Sequence, residues 1–128
     1  MADKVLGVIG GSGLYDIEGL EGIEKHKVDT PFGDPSGEYI TGNLNGTKLV
    51  FLPRHGYQHQ FTPSEVNYRA NILGMKKLGV EYILSVSAVG SLKEEIEPGH
   101  MVLPDQFFDR TNNRDATFFC NGIVSHVP

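Results

Sequence analysis

The 128-residue chain has 39% hydrophobic and 21% charged residues, the balance of an ordinary soluble globular domain of modest core. Its formal net charge of −5 excludes a broad basic field for nucleic acid or anionic lipid, so any bound anion must be held by a local set of donors. The lone cysteine, Cys120, cannot form an intramolecular disulfide, which points to a reducing cytoplasm. The apolar stretch Val5–Ile9 is too short for a signal peptide or a membrane span.

Val5–Ile9 reads as a buried strand that enters the glycine-rich turn Gly10-Gly11-Ser12-Gly13. Residues 29–37, dense in Pro, Gly, Asp and Ser, form a loop. Glu38–Leu44 and Lys48–Leu52 flank Asn45-Gly46, the strongest short-range signal for a β-hairpin. After Pro53-Arg54-His55-Gly56, the spacing predicts a helix with Thr62 as N-cap, Pro63 in its first position and Glu65 completing a capping box. Val66, Ala70 and Leu73, widened by Ile72 and Met75, make its apolar face. Lys76 and Lys77 suit the negative end of its dipole, and Gly79 closes it. Val80–Ser87 predicts a second buried strand, Glu97-Pro98-Gly99 a turn, and His100–Leu103 a further short strand. Strands interleaved with a helix in this order argue for an α/β sheet.

Three segments carry chemistry. In Gly10-Gly11-Ser12-Gly13, glycines let backbone N–H groups converge on an anion and Ser12 adds a hydroxyl, although a plain tight turn has the same composition. The third glycine of the dinucleotide fingerprint is missing, as is the Gly-Lys-Ser/Thr of a P-loop. In Arg54-His55-Gly56-Tyr57-Gln58-His59, the guanidinium fork matches phosphate oxygens, and His55 can donate a further hydrogen bond. The alternatives there are a solvated Arg with two solvated histidines, or a zinc pair at His55 and His59. Gly56 and the missing Glu argue against the zinc pair. In Ser85-Val86-Ser87-Ala88-Val89-Gly90-Ser91, small residues at a strand's carboxyl end let a ligand approach the backbone. Ser87 offers a hydroxyl and Ala88 an N–H, unless those groups serve their own backbone. Together these strand-end donors suit a free phosphate.

Val-Ile-Gly-Gly-Ser-Gly-Leu at 8–14, Asp-Thr-Pro-Phe-Gly at 29–33 and Pro-Arg-His-Gly-Tyr-Gln-His at 53–59 resemble the methylthioadenosine phosphorylases. So do Val-Asn-Tyr-Arg-Ala-Asn-Ile at 66–72, Ser-Ala-Val-Gly-Ser-Leu at 87–92 and Asp-Gln-Phe-Phe-Asp-Arg-Thr at 105–111. The resemblance implies an α/β fold, a nucleoside phosphorylase-type mixed sheet flanked by helices and incomplete in this chain. Residues 1–128 are then the N-terminal part of a single domain whose C-terminal half is absent. It implies phosphorolysis of 5'-methylthioadenosine to adenine and 5-methylthioribose 1-phosphate, with phosphate as co-substrate, no cofactor and no metal. Carried over by position, Ser12, Arg54, His55, Ser87 and Ala88 are the phosphate contacts. Val89 and Gly90 lie near the ribose or base, His59 belongs to the same motif, and His126 sits in a stretch lent to a neighbouring subunit of a homotrimer. Ser12 replaces a common threonine and Val89 a frequent cysteine.

The family's general acid falls in the absent half, and such help contributes about 10²–10⁴-fold, so the 128-residue chain alone is expected to be inactive. Competing readings are a catalytically incomplete phosphate-binding chain, a phosphorylase for inosine, guanosine or methylthioinosine, and a Rossmann-type cofactor domain. Asp29 would be the ribose-binding acid of the last, which the turn-rich surroundings of Asp29 disfavour.

Overall fold

The computed structural model describes residues 4–11, 17–119 and 122–126. Its five strands form one mixed sheet: β1 (Val5–Gly10), β2 (Glu21–His26), β3 (Tyr39–Leu44), β4 (Thr47–Pro53) and β5 (Tyr82–Ser85), in the order β2-β3-β4-β1-β5. β1 runs parallel to β4 on one side and β5 on the other, whereas β3 is antiparallel to both β2 and β4. The carboxyl ends of β4, β1 and β5 therefore lie side by side on one edge of the sheet.

The expected hairpin joins β3 to β4. Asn45 and Gly46 take φ of 49° and 81°, the left-handed pair that matches the twist of adjoining strands, and Leu44 pairs with Thr47. Alternation then separates two apolar layers. Val8, Ile40, Leu49 and Phe51 fill one face, while Ile9, Tyr39, Val50 and Leu52 face Met75 on the helix α1 (Tyr68–Lys77). Gly74 of α1 lies so close to the Tyr39 hydroxyl that any β-carbon would collide with it. That hydroxyl, whose pKa burial raises, donates to the carbonyl of Asn71 at 2.9 Å.

Helix α1 starts five residues beyond the expected first position, Pro63. The Thr62–Glu65 pairing does form: Thr62 N–H and Oγ1–H both donate to Glu65 Oε2, at 2.9 and 2.7 Å. It stabilises a separate turn. The N-cap is Asn67, whose Oδ1 accepts from Ala70 N–H at 3.1 Å while Nδ2 donates to the carbonyls of Phe32 at 2.7 Å and Asp34 at 3.3 Å. One amide thus starts the helix and ties the 29–37 loop to it, and a threonine at 62 has no group that could do both. Buried Asn71 repeats the tie one turn later, accepting from Ser36 N–H and donating to Ser36 Oγ. The far end follows expectation. Gly79 at φ 81° and the bonds Gly79 N–H to Lys76 O and Val80 N–H to Met75 O close the helix, with Lys76 and Lys77 in its last turn.

Three further differences have physical causes. β2 is a strand without an apolar pattern: it is an exposed edge of Glu, Lys and His, bent by a register shift near Gly22, whose φ is 61°. β5 is shorter than the expected 80–87 and exposed throughout, because it pairs with β1 alone. His100–Leu103 forms no strand. Met101 and Leu103 are each 90% exposed and meet no sheet edge, and apolar sequence without a pairing partner does not make a strand. The turn before it does form, with His100 N–H bonded to Glu97 O. Among the described residues α1 is the one helix flanking the sheet, and no helix is long and apolar enough to cross a membrane.

Candidate functional site

The carboxyl ends of the three parallel strands are tied to one another. Arg54, the residue after β4, donates its N–H to the carbonyl of Gly10 at the end of β1, at 3.1 Å. Val86, the residue after β5, donates its N–H to Ile9 O at 2.9 Å. Arg54 Nη1 then reaches over to the carbonyl of Val86, at 3.0 Å. Parallel pairing in register, Gly10 opposite Pro53 and Ile9 opposite Ser85, is what brings these termini level.

Beyond Arg54 the chain folds back on itself. Gly56 at φ 76° and His59 at φ 53° turn the backbone, and Phe61 N–H closes the loop onto His55 O at 3.1 Å. His55 is fixed at both ring nitrogens: Nδ1 contacts Phe61 O at 2.9 Å, and Nε2 contacts Arg54 Nε at 3.1 Å. A carbonyl can only accept, so Nδ1 carries the proton; Nε2 then accepts the Arg54 Nε–H, and the ring is neutral in this arrangement. The His59 ring stacks on that of His55 with centroids 5.7 Å apart and planes 18° apart.

A solvent-open cavity of about 620 Å³ lies at this edge of the sheet. It is lined by Arg54, His55 and His59 of the loop after β4, by Gly11, Ser87 and Ala88 at the ends of β1 and β5, and by Phe61, Thr62, Pro63 and Val86. The backbone N–H groups of Ser87 and Ala88 make no hydrogen bond among the described residues. Among the described residues no carboxylate lines the cavity, on a chain of net charge −5. A half-buried guanidinium, backbone N–H groups and a hydroxyl around one opening can hold a small oxyanion.

The structure thus brings together Arg54, His55, His59, Ser87 and Ala88. Ser12 lies outside the described residues. Val89 and Gly90 are exposed and do not line the cavity, and neither does His126, also exposed. His55 lines the cavity with Arg54. Both of its ring nitrogens are engaged within the protein, so it offers no N–H donor to the cavity in this state. Sequence reasoning passed over the wall residues Phe61, Thr62, Pro63 and Val86. Their signal was position, immediately after the Arg54–His59 loop and immediately before Ser87. Among the described residues no group of three or more His, Cys, Asp or Glu is arranged to hold a metal.

Residues 5–128 match the phosphorylase superfamily. The chain belongs to this superfamily. It is 64% identical over 126 residues to the S-methyl-5'-thioadenosine phosphorylase of Geobacter sulfurreducens, covering 98% of this chain and 44% of that protein. The enzyme of the same name from Thermosynechococcus vestitus is 56% identical over 122 residues, covering 95% and 42%. Among solved structures, the methylthioadenosine phosphorylase of Schistosoma mansoni in complex with adenine superposes with a TM-score of 0.83 at 43% identity, over 93% of this chain and 43% of that one. This superfamily member spans less than half the length of the relatives it matches.

Proposed function

We propose that the cavity beyond β1, β4 and β5 binds inorganic phosphate, and that this chain is the phosphate-binding part of a phosphorylase acting on 5'-methylthioadenosine. The observation that carries the reading is the meeting of Arg54 with the Ser87 and Ala88 N–H groups at three level parallel strand ends. Ligands of open α/β sheets bind in this position. The names of the relatives supply the nucleoside.

In the reaction, a phosphate oxygen bonds to the anomeric carbon as the bond to the adenine nitrogen breaks. The electron pair leaves with the base, which takes up a proton. The products are adenine and 5-methylthioribose 1-phosphate. Positive charge builds on the ribose in the transition state, and a phosphate fixed beneath it stabilises that charge. Arg54 and the two N–H groups hold the phosphate in line. Residues 1–128 are the N-terminal part of one phosphorylase domain; Ser12 completes the phosphate contacts, while Val89, Gly90 and His59 border the nucleoside. His126 serves a neighbouring subunit of a homotrimer in the cytoplasm. The reaction uses no metal or cofactor.

A second reading is favoured by the described lining residues, which include no acid. The 128-residue chain by itself binds phosphate but gives the departing base no proton, and so does not turn over. One experiment separates the two. The chain is incubated with 5'-methylthioadenosine and phosphate, adenine is followed by chromatography, and phosphate binding is measured by calorimetry in parallel. Adenine release that requires phosphate supports the first reading for this chain. Phosphate binding without release supports the second, and no binding overturns both.

A further inference from the structure

We propose that His55 makes this cavity selective for oxyanions that carry a proton, such as hydrogen phosphate and hydrogen arsenate, over sulfate, which carries none. The inference rests on the phosphate reading above and deepens it.

The argument starts from the Phe61 carbonyl. At 2.9 Å from Nδ1 it fixes the proton there, and the remaining nitrogen, Nε2, is left with a lone pair. That lone pair now accepts the Arg54 Nε–H at 3.1 Å, within a cavity that His55 and Arg54 both line. Arg54 cannot swing away freely, because its Nη1 is held by Val86 O and its backbone by Gly10 O. An oxyanion reaching the guanidinium therefore meets His55 Nε2 alongside it.

Hydrogen phosphate exchanges the one internal contact for two. Arg54 Nε–H turns onto an unprotonated oxygen, and the anion's own O–H donates to Nε2. Sulfate can satisfy only Arg54. Its oxygens face the Nε2 lone pair with no proton between them, and a half-buried acceptor is left facing like charge. The Phe61–His55 bond is thus a specificity device acting through the tautomer.

Other ionisable groups do not blur the assignment. Among the described residues, those facing His55 are Arg54 and the stacked His59, from its own loop. The cavity walls contributed by Gly11, Phe61 to Pro63 and Val86 to Ala88 carry none.

The test is calorimetric titration of the full 128-residue chain with phosphate, arsenate and sulfate at matched ionic strength near about pH 8, where an ordinary histidine is neutral. Phosphate and arsenate should bind roughly ten- to a hundredfold more tightly than sulfate, the range of one hydrogen bond to a charged group. Equal binding of sulfate overturns the selectivity and leaves the phosphate site standing. Failure of all three anions to bind removes the site and the selectivity together. His55→Gln, whose amide can donate as well as accept, should bring sulfate level with phosphate. Should that variant fail to fold, ¹⁵N imidazole spectra of the unaltered chain decide: a bare Nε2 on His55 near about pH 8 is required, and a protonated Nε2 overturns the proposal.

Discussion

Arg54 and Val86 are 32 positions apart in sequence, and the guanidinium of the first donates to the carbonyl of the second at 3.0 Å. That one bond spans β1, because Arg54 follows β4 and Val86 follows β5, the strands on either side of it. It turns three separate strand ends into a single rim, and it holds the guanidinium at the cavity that Arg54 lines.

Arg54→Lys should therefore behave almost as badly as Arg54→Ala. An ammonium is a point charge that cannot hold Val86 O, His55 Nε2 and an anion at once. Losing a charged hydrogen-bonding group of this kind costs on the order of 1.5–3 kcal/mol. Calorimetric titration with phosphate checks this. Retention of ordinary phosphate affinity by the lysine variant would show that the bridging geometry is irrelevant to the anion.

At the start of α1 the two candidate caps can be told apart. Asn67→Ala removes the cap and both ties to the 29–37 loop, and should lower stability by about 1–2 kcal/mol, at the upper end of measured cap losses. Thr62→Ala removes only an exposed turn contact and should stay within about 0.5 kcal/mol. Urea unfolding of the two variants measures the difference, and a larger loss for Thr62→Ala would restore the earlier helix start.

The same turn makes a prediction for titration. Hydrogen bonds from the Thr62 hydroxyl and backbone N–H hold the Glu65 carboxyl below the ordinary carboxylate range. A folded-state pKa that is depressed contributes above the unfolded value and is lost as pH falls through the folded one, so the turn should loosen on acidification, not in base. Carboxyl ¹³C shifts should place the Glu65 midpoint below the ordinary glutamate range. In Thr62→Ala the Glu65 midpoint should rise.

Much of this architecture was legible before the fold was known, and the exceptions share a cause. The Asn45-Gly46 hairpin, the Val5–Ile9 strand and the Gly79 helix end each rest on local chemistry that needs no distant partner. The position of Arg54 and Ser87-Ala88 at strand ends was legible because each follows an apolar run. The start of α1 depended instead on what Asn67 meets in the 29–37 loop, a contact between distant parts of the chain. β2 depended on β3 being available to pair with a charged sequence of no apolar rhythm. His55 shows the finer limit. Its presence in the site was readable, but its role as acceptor follows from Phe61 O and could not be read from residue type.

Gly74→Ala weighs two opposing effects against each other. In an exposed helix the change is stabilising by about 1 kcal/mol, since alanine propagates a helix better than glycine. Here the new methyl would meet the Tyr39 hydroxyl and ring, buried between sheet and helix, and overpacking of this kind costs typically about 1–3 kcal/mol. Steric cost should win, and thermal unfolding should show a lower midpoint for the variant.

Beyond β5 the chain shows a different face to solvent. Phe107 is 80% and Phe108 85% exposed, near the uncovered Leu92, Met101 and Leu103 in sequence. Isolated exposed apolar residues are ordinary, but so many along one segment favour association. Size-exclusion chromatography of the 128-residue chain should show apparent mass rising with concentration. Replacing Phe107 and Phe108 by serine should reduce that rise. It should leave monomer stability within about 0.5 kcal/mol, because neither ring is buried in the monomer. A chain that elutes at one mass across the concentration series would show that this apolar surface is inert.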